Sequence, residues 1–197
     1  MYILIHPFDG FYSMKFEKEG TMRLAIINFF MVCLSYSFMN QYTGILVAQR
    51  HPNSVNSMFD FFMLTTALIL FGISNWAVTS LTDGEGKFYE IIMACCYALT
   101  PVVLTFIPVT VLSNFLSINE TGFFTMIVTA AIVYSILLAY IGLVVVHNYT
   151  AIKAVKTVIL TFIALLIILF LFTLLFSLLQ QLAVFIESLY IEITFRM

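Results

Sequence analysis

The chain has 197 residues, of which 62% are hydrophobic and only 9% are charged. A soluble domain carries about a quarter charged residues, which keep its surface solvated. Together with a mean hydropathy of +1.08, this composition excludes an ordinary soluble protein. The net charge of -2 offers no basic tract, so we expect no nucleic-acid partner. The apolar runs are too long and continuous for membrane β-strands, which alternate in polarity over about ten residues.

The first 23 residues are predicted to form a cytoplasmic segment at the membrane interface. Charged residues are spread through them, and no apolar stretch leads to a cleavage site. We therefore expect no signal peptide, and expect the first membrane helix to direct insertion. Aromatic side chains of this segment suit the headgroup level, while its lysines suit anionic lipid. The segment either contacts a partner or only anchors the N-terminus, and its candidate contacts are His6, Phe8, Asp9, Phe11 and Tyr12.

Five apolar stretches follow, each long enough to cross a bilayer as a helix, which takes about 20 residues. Short loops with turn-forming residues join them, such as the loop that contains Arg50 and Pro52. No linker is long enough to separate domains. Residues 24–197 are therefore predicted to form one all-α polytopic bundle of five transmembrane helices, at about 24–47, 58–81, 88–113, 123–146 and 156–181.

The fifth helix carries an extension with a helical apolar period. Beyond Gln181, apolar residues recur on one face and acidic residues interrupt them. The helix either continues outside the bilayer or bends into the interface. Its apolar face either docks a partner or covers the end of the bundle, and consists of Leu182, Phe185, Ile186, Leu189 and Ile193.

The distribution of basic residues predicts the orientation in the membrane. Arg50 and Arg196 fall on one side of the five predicted helices. The other six basic residues fall on the opposite side, which should be cytoplasmic because Lys and Arg accumulate there. We therefore expect a cell-membrane protein with a cytoplasmic N-terminus and an extracytoplasmic C-terminus. The cytoplasmic set is Lys15, Lys18, Arg23, Lys87, Lys153 and Lys156.

Few polar side chains lie within the predicted helices. Such groups are costly in hydrocarbon unless paired, so each is a candidate for function. They either form hydrogen bonds between helices or line a solute pathway. No charged residue lies at the middle of a predicted span, which argues against a proton-coupled transporter. The candidates are Asn40, Gln41, Asp60 and Asn75.

Two prolines, Pro101 and Pro108, lie seven residues apart in the third predicted helix and thus on roughly one face. Each removes a backbone donor and favours a kink. Nearby threonines can hydrogen-bond to the carbonyl groups that lose their donors. Paired kinks of this kind occur in gates and transporters, and also as packing devices.

The turn after the second helix carries two carboxylates, Asp83 and Glu85, separated by one glycine. They either meet a divalent cation or remain solvated in a tight turn. Both are also candidate contacts for a partner at the inner surface of the membrane. No catalytic or phosphate-binding motif is present, so we expect neither an enzyme nor a cofactor. The three cysteines lie in apolar runs without metal or redox spacing and are interpreted as packing residues: Cys33, Cys95 and Cys96.

Three stretches of the sequence resemble the Yip1-domain family, particularly its bacterial members. They are residues 6–17 (HPFDGFYSMKFE), 75–88 (NWAVTSLTDGEGKF) and 97–114, which begins YALTP and ends LSN. The resemblance covers nearly the whole chain, and the predicted five helices agree with it. It implies a polytopic protein with a cytoplasmic N-terminus and no enzymatic activity.

The resemblance also suggests a class of partner. Eukaryotic relatives act in vesicle traffic and associate with small GTPases through a longer N-terminal region, whereas this chain has only about twenty residues there. Bacterial relatives resemble accessory membrane proteins, some of them encoded beside ABC-type sugar importers. We therefore expect a non-enzymatic accessory or scaffold subunit, in contact with the bilayer and with membrane proteins such as ABC permeases. The alternative is a small oligomeric transporter or channel for a neutral or apolar solute.

Overall fold

A computed structural model describes residues 2–48 and 56–196, and within these ranges the chain is α-helical without strands. The loop predicted around Arg50 and Pro52 lies outside the described residues. A 3-10 turn, Ile118–Glu120, lies directly before the helix that begins at Thr121. The helices are α1 (Tyr2–Ile5), α2 (Pro7–Phe16), α3 (Met22–Tyr42), α4 (Ile45–Ala48), α5 (Ser57–Leu81), α6 (Phe88–Ala98), α7 (Thr100–Ser113), α8 (Thr121–His147) and α9 (Ala151–Arg196).

The five-helix, all-α membrane architecture is confirmed. Within the described ranges, five helical segments are long and apolar enough to cross a membrane. Local sequence explains where several of them begin and end. Thr21 and Asn56 cap α3 and α5 by accepting hydrogen bonds from the backbone N–H groups of Leu24 and Phe59. Asn148 ends α8 in a left-handed conformation with φ 54°.

The third span is broken at Leu99 into α6 and α7. Proline cannot donate a hydrogen bond, and the clash with its ring disfavours helical backbone in the preceding residue. Pro101 therefore starts a new helix instead of continuing the old one. Pro108, by contrast, lies inside α7 without ending it.

The α6–α7 segment occupies the centre of the bundle. It packs against α3 and α8, and α6 also contacts α5. Small side chains allow this close approach, and Ala94 and Ala98 are fully buried. The free cysteines Cys33, Cys95 and Cys96 are also buried in this core.

The N-terminal segment packs along α8. Phe11 is completely buried, and a Cβ atom added at Gly142 of α8 would lie 3.1 Å from its ring. A second contact involves α1. The hydroxyl of Tyr134, which lies about half-way along α8, donates a hydrogen bond to the carbonyl of Leu4. The segment was expected to lie in the interface with Phe11 at headgroup level. Instead, α1 and α2 are part of the bundle, because Phe11 and Met14 supply apolar surface to its core.

Helix α9 is the exception to this compact packing. It has 46 residues, which corresponds to about 69 Å at 1.5 Å per residue. Its first half packs against α5, where the rings of Phe71 and Phe162 lie 6.2 Å apart. Every residue from Leu169 to Phe195 is exposed. The predicted extension beyond Gln181 is thus a direct continuation of the fifth helix.

Candidate functional site

The turn between α5 and α6 closes over one end of the bundle. After Leu81, Asp83 adopts a left-handed conformation with φ 54°, which reverses the chain. The Gly84 N–H group donates a 2.8 Å hydrogen bond back to the carbonyl of Thr79. This brings the backbone of residues 84–86 against the end of α8.

His147, the last residue of α8, lies beneath this turn and is only 2% exposed. The Gly86 N–H group donates to its Nδ1 atom over 3.3 Å. Nδ1 is therefore an acceptor, so the ring proton of the neutral imidazole is on Nε2. Nε2 lies 3.0 Å from Oδ1 of Asn75, to which it donates. Both ring nitrogens are thus engaged within the protein.

The hydrogen-bond chain continues from Asn75 into α9. The Asn75 amide donates from Nδ2 to the hydroxyl of Thr161 over 3.1 Å. That hydroxyl donates in turn to the carbonyl of Thr157 over 2.8 Å. Asn75 and Thr161 are almost completely buried. We call His147, Asn75 and Thr161 the inner polar network, and it joins α8, α5 and α9.

The two glycines of the turn are required by this close packing. A Cβ atom at Gly84 would lie 2.6 Å from the hydroxyl oxygen of Tyr149 and 2.8 Å from Nδ1 of His147. A Cβ atom at Gly86 would lie 2.6 Å from Val146 and 2.7 Å from Cε1 of His147. Any larger residue at either position would push the turn away from the histidine.

Lys15 of α2 fastens the N-terminal segment to the same end of the bundle. Its ammonium group donates to the carbonyl of Val146 over 2.8 Å. It also lies 3.6 Å from a carboxylate oxygen of Glu85, whose side chain is 60% exposed. Asp83 is exposed as well, so both candidate contact residues of the turn lie at the surface, and Glu85 is paired with a lysine.

Tyr149 and Lys153 make further contacts at this end of the bundle. The ring of Tyr149 stacks on His147 at 5.3 Å, and its hydroxyl donates to the carbonyl of Thr82 over 3.1 Å. Lys153 places its ammonium group 4.4 Å from the centre of the Tyr149 ring. Basic groups therefore surround the turn on two sides.

The other predicted polar residues lie at the opposite end of the bundle. The Asn40 amide donates to a carboxylate oxygen of Asp60 over 3.0 Å, and Gln41 donates to the hydroxyl of Ser57. Both bonds join α3 to α5. Asn75 belongs to the inner polar network at the far end of α5. The four candidates therefore do not converge on one pathway.

The same end contains a second helix-to-helix contact. The Gly44 N–H group donates to the hydroxyl of Ser113 over 2.9 Å, and the Asn114 amide donates to the carbonyl of Tyr42 over 3.1 Å. A Cβ atom at Gly44 would lie 2.5 Å from the Ser113 carbonyl oxygen. This glycine lets the end of α3 approach the end of α7.

The break at Leu99 is held by hydrogen bonds. The hydroxyl of Thr100 donates over 2.6 Å to the Tyr97 carbonyl, which the proline leaves without its helical donor. From α3, the Asn28 amide donates over 2.6 Å to the carbonyl of Cys96. The break is therefore satisfied internally and is integrated into the packing of α3.

An apolar cavity of about 370 Å³ lies between α3, α5, α6–α7 and α8. Phe29, Leu68, Cys95 and Phe106 are among its lining residues. No charged residue lines it. The polar contacts at the two ends of the bundle are therefore separated by an apolar space.

The remaining candidates of the N-terminal segment divide into buried and exposed side chains. His6, Asp9, Phe8 and Tyr12 are exposed, the last two by 58% and 53%. Phe11 is in the core, so it cannot contact an outside partner. The exposed members remain candidate contacts.

The sequence did not connect His147 with any other residue. Its partners Asn75 and Thr161 are distant in the sequence, and only the packing of three helices brings them together. A usable signal was present, because Asn75 and His147 lie at or near the C-terminal ends of the predicted spans 58–81 and 123–146, which fall on the same side of the membrane. Lys15 and Asn28 were also missed as tertiary contacts.

The polar side chains at the two ends of the bundle make structural hydrogen bonds. Within residues 2–48 and 56–196, no group of three His, Cys, Asp or Glu side chains is placed to hold a metal ion. His147 is engaged at both nitrogens, and Glu90 accepts hydrogen bonds from the Lys87 backbone and the Tyr89 hydroxyl. These contacts hold helix ends and turns in place.

Comparison with known proteins identifies the family. The family model for the Yip1 domain matches residues 1–180, and the chain therefore belongs to the Yip1-domain family. No curated protein matches the chain significantly, and no solved structure does. The matched region includes α1 to α8 and residues 151–180 of α9, about two thirds of that helix.

Proposed function

We propose that this Yip1-domain protein is a non-enzymatic accessory or scaffold subunit of the cell membrane, which docks other integral membrane proteins through α9. Its partners are the permease subunits of an ABC-type importer. The resemblance to bacterial relatives suggests this class of partner. The observation that carries the proposal is the exposure of the second half of α9.

The length and composition of α9 support docking. A helix needs about 20 residues to cross the hydrocarbon core, and α9 has 46. Its exposed second half remains rich in Leu, Ile and Phe, from Leu169 to Phe195. Lipid chains can therefore cover only part of the 46 residues of α9 in one bilayer crossing. A second apolar protein surface provides the cover in our proposal.

Gln180 and Gln181 support a protein partner over lipid. Both are exposed in the middle of this apolar stretch. In a nonpolar environment, amide side chains are stabilised by hydrogen bonds to a neighbouring helix. Lipid chains offer no such bonds, whereas a partner helix with polar side chains does.

The test is recovery of partners from native membranes in mild detergent, identified by mass spectrometry. A photoreactive phenylalanine analogue replaces Phe185 in one variant and Phe123 of α8 in the control, since these side chains are 62% and 61% exposed. We expect stoichiometric recovery of importer subunits and crosslinks from position 185 alone. Recovery of the chain without other proteins, with equal crosslinking at both positions, would contradict the proposal.

The proposed orientation has a cytoplasmic N-terminus and an extracytoplasmic C-terminus. It is supported by the basic residues around the α5–α6 turn, where Lys15 and Lys153 meet Glu85 and Tyr149. Glu85→Cys and Ser117→Cys each add one exposed thiol, at opposite ends of the bundle. The native cysteines are buried and should not react. An impermeant maleimide added to intact cells should label position 117 and spare position 85. The reverse pattern would overturn the orientation.

A second candidate function is a small oligomeric carrier for an apolar solute. The apolar cavity favours it, whereas the separated polar residues argue against a hydrophilic pathway. Reconstitution into liposomes and measurement of solute flux distinguishes the two functions. Flux by the purified chain would support the carrier, and its failure together with partner recovery would support the scaffold.

A further inference from the structure

Ser135 is an exception among the buried polar groups. It is 3% exposed, and its hydroxyl is the only buried side-chain N or O atom of the described residues without a hydrogen-bond partner. Other buried hydroxyls in these helices donate to a carbonyl one turn earlier, as Thr110 and Thr161 do. A buried hydroxyl without a partner is unfavourable, so the site is incomplete as it stands.

The unpaired hydroxyl lines the apolar cavity. The cavity has a volume of about 370 Å³, near the lower end of the range for small-molecule sites. Two other lining residues of α8, Ile132 and Ile136, are 42% and 62% exposed. The cavity is therefore accessible from the side of the bundle, where the membrane lies.

We propose that this cavity binds one uncharged long-chain lipid that carries a single hydrogen-bonding oxygen, of the long-chain alcohol class. Its chain packs against the apolar walls, and its oxygen pairs with the hydroxyl of Ser135. This ligand supplies the missing partner and leaves no other polar group buried.

The depth of Ser135 selects this class over phospholipids. Ser135 lies half-way along α8, about 20 Å from either end of the helix at 1.5 Å per residue. A charged headgroup cannot reach that depth without leaving water. No charged side chain lines the cavity to neutralise one. The small volume also favours one chain over a two-chain lipid.

The test uses the full chain in phosphatidylcholine nanodiscs with a photoactivatable, diazirine-bearing hexadecanol, and maps the labelled peptides by mass spectrometry. We expect labelling concentrated on the cavity-lining segments of α3 and of α5 to α8. Unlabelled hexadecanol should compete, and hexadecylphosphocholine should not. Uniform labelling of the lipid-facing surface, or equal competition by both compounds, would overturn the proposal.

Two variants separate binding from folding. Ser135→Ala removes only the hydroxyl, so it should weaken hexadecanol binding about 3- to 10-fold without lowering the thermal unfolding midpoint. Ala67→Phe places a ring at the cavity wall from an exposed position and should abolish specific labelling. Ala130→Phe, on the exposed face of α8, is the matched control and should bind like the parent protein. Unchanged binding by Ser135→Ala and Ala67→Phe would refute the site.

This site is independent of docking through α9, since no α9 residue lines the cavity. Weaker hexadecanol binding in Ser135→Ala should therefore leave partner recovery unchanged.

Discussion

The α6–α7 segment and α9 are both apolar enough to cross a membrane, yet their surroundings are opposite. The most apolar part of the span Phe88–Ser113 has a mean hydropathy of 2.0, and 56% of its residues are buried within the protein. The corresponding part of α9 has a mean hydropathy of 3.2, and 6% of its residues are buried. Hydropathy therefore indicates which segments enter the membrane, but not which one lies at the centre of the bundle.

The difference follows from side-chain size and from satisfied polar groups. In α6, small residues such as Ala94 and Ala98 let neighbouring helices approach closely. Hydrogen bonds from Asn28 and Thr100 secure the break that follows. The second half of α9 has mostly large Leu, Ile and Phe side chains, which favour contact with lipid or with a separate partner.

The largest expected effect is on the free energy of unfolding, and it distinguishes a buried phenylalanine from an exposed one. Phe106 of α7 is 3% exposed, whereas Phe172 of α9 is 68% exposed. Phe106→Ala leaves a cavity and should lower the free energy of unfolding by about 3–5 kcal/mol. Phe172→Ala should change it by less than about 0.5 kcal/mol. Unfolding in mixed detergent micelles measures both, and similar losses would mean that α9 is as integrated as α7.

A smaller contrast is expected between two amides. Asn75→Leu leaves the Nε2 proton of His147 without an acceptor, and should cost about 1–3 kcal/mol of unfolding free energy. Gln181→Leu on α9 should leave stability unchanged but reduce recovery of the proposed partner.

A double-mutant cycle of Asn75→Leu with Thr161→Val checks the mechanism of the first loss, because both residues belong to one hydrogen-bond chain. Their effects should not add. Strictly additive losses would show that the network does not act as a unit.

The break between α6 and α7 offers a third contrast. Asn28→Ala removes the donor to the Cys96 carbonyl and should cost about 1 kcal/mol. Ser177→Ala on α9 is the control, since Ser177 is exposed, and should have no measurable effect. Thermal unfolding in detergent compares them. An equal shift in both variants would argue against a role for Asn28 in holding the break.

These contrasts also show how far the sequence can be interpreted. The five spans and several of their ends were predictable, because about 20 consecutive apolar residues need no tertiary information. The span predicted at 58–81 is observed as Ser57–Leu81. The break at Leu99 was only partly predictable: Pro101 indicated a kink, but the donor from Asn28 depends on how α3 packs.

The N-terminal segment shows why the rest was missed. Its charged residues suggested a surface location, although Phe11 and Met14 lie three positions apart and share one face of α2. Whether such a face meets lipid headgroups or a neighbouring helix depends on the complementary surface. That surface is provided by Gly142 on α8, 131 residues away, and local periodicity contains no information about it.

The smallest expected effect, that of Glu85→Gln, concerns the turn that leads into α6. Lys15→Met removes the donor to the Val146 carbonyl and the ion pair with Glu85, and should cost about 1 kcal/mol. Glu85→Gln removes only the ion pair, and because Glu85 is largely exposed the loss should be below about 0.5 kcal/mol and vanish at high salt. Unfolding at low and high ionic strength distinguishes the two bonds. If Glu85→Gln were as damaging as Lys15→Met at both ionic strengths, the carboxylate and not the Val146 carbonyl would be the partner that holds α2 against α8.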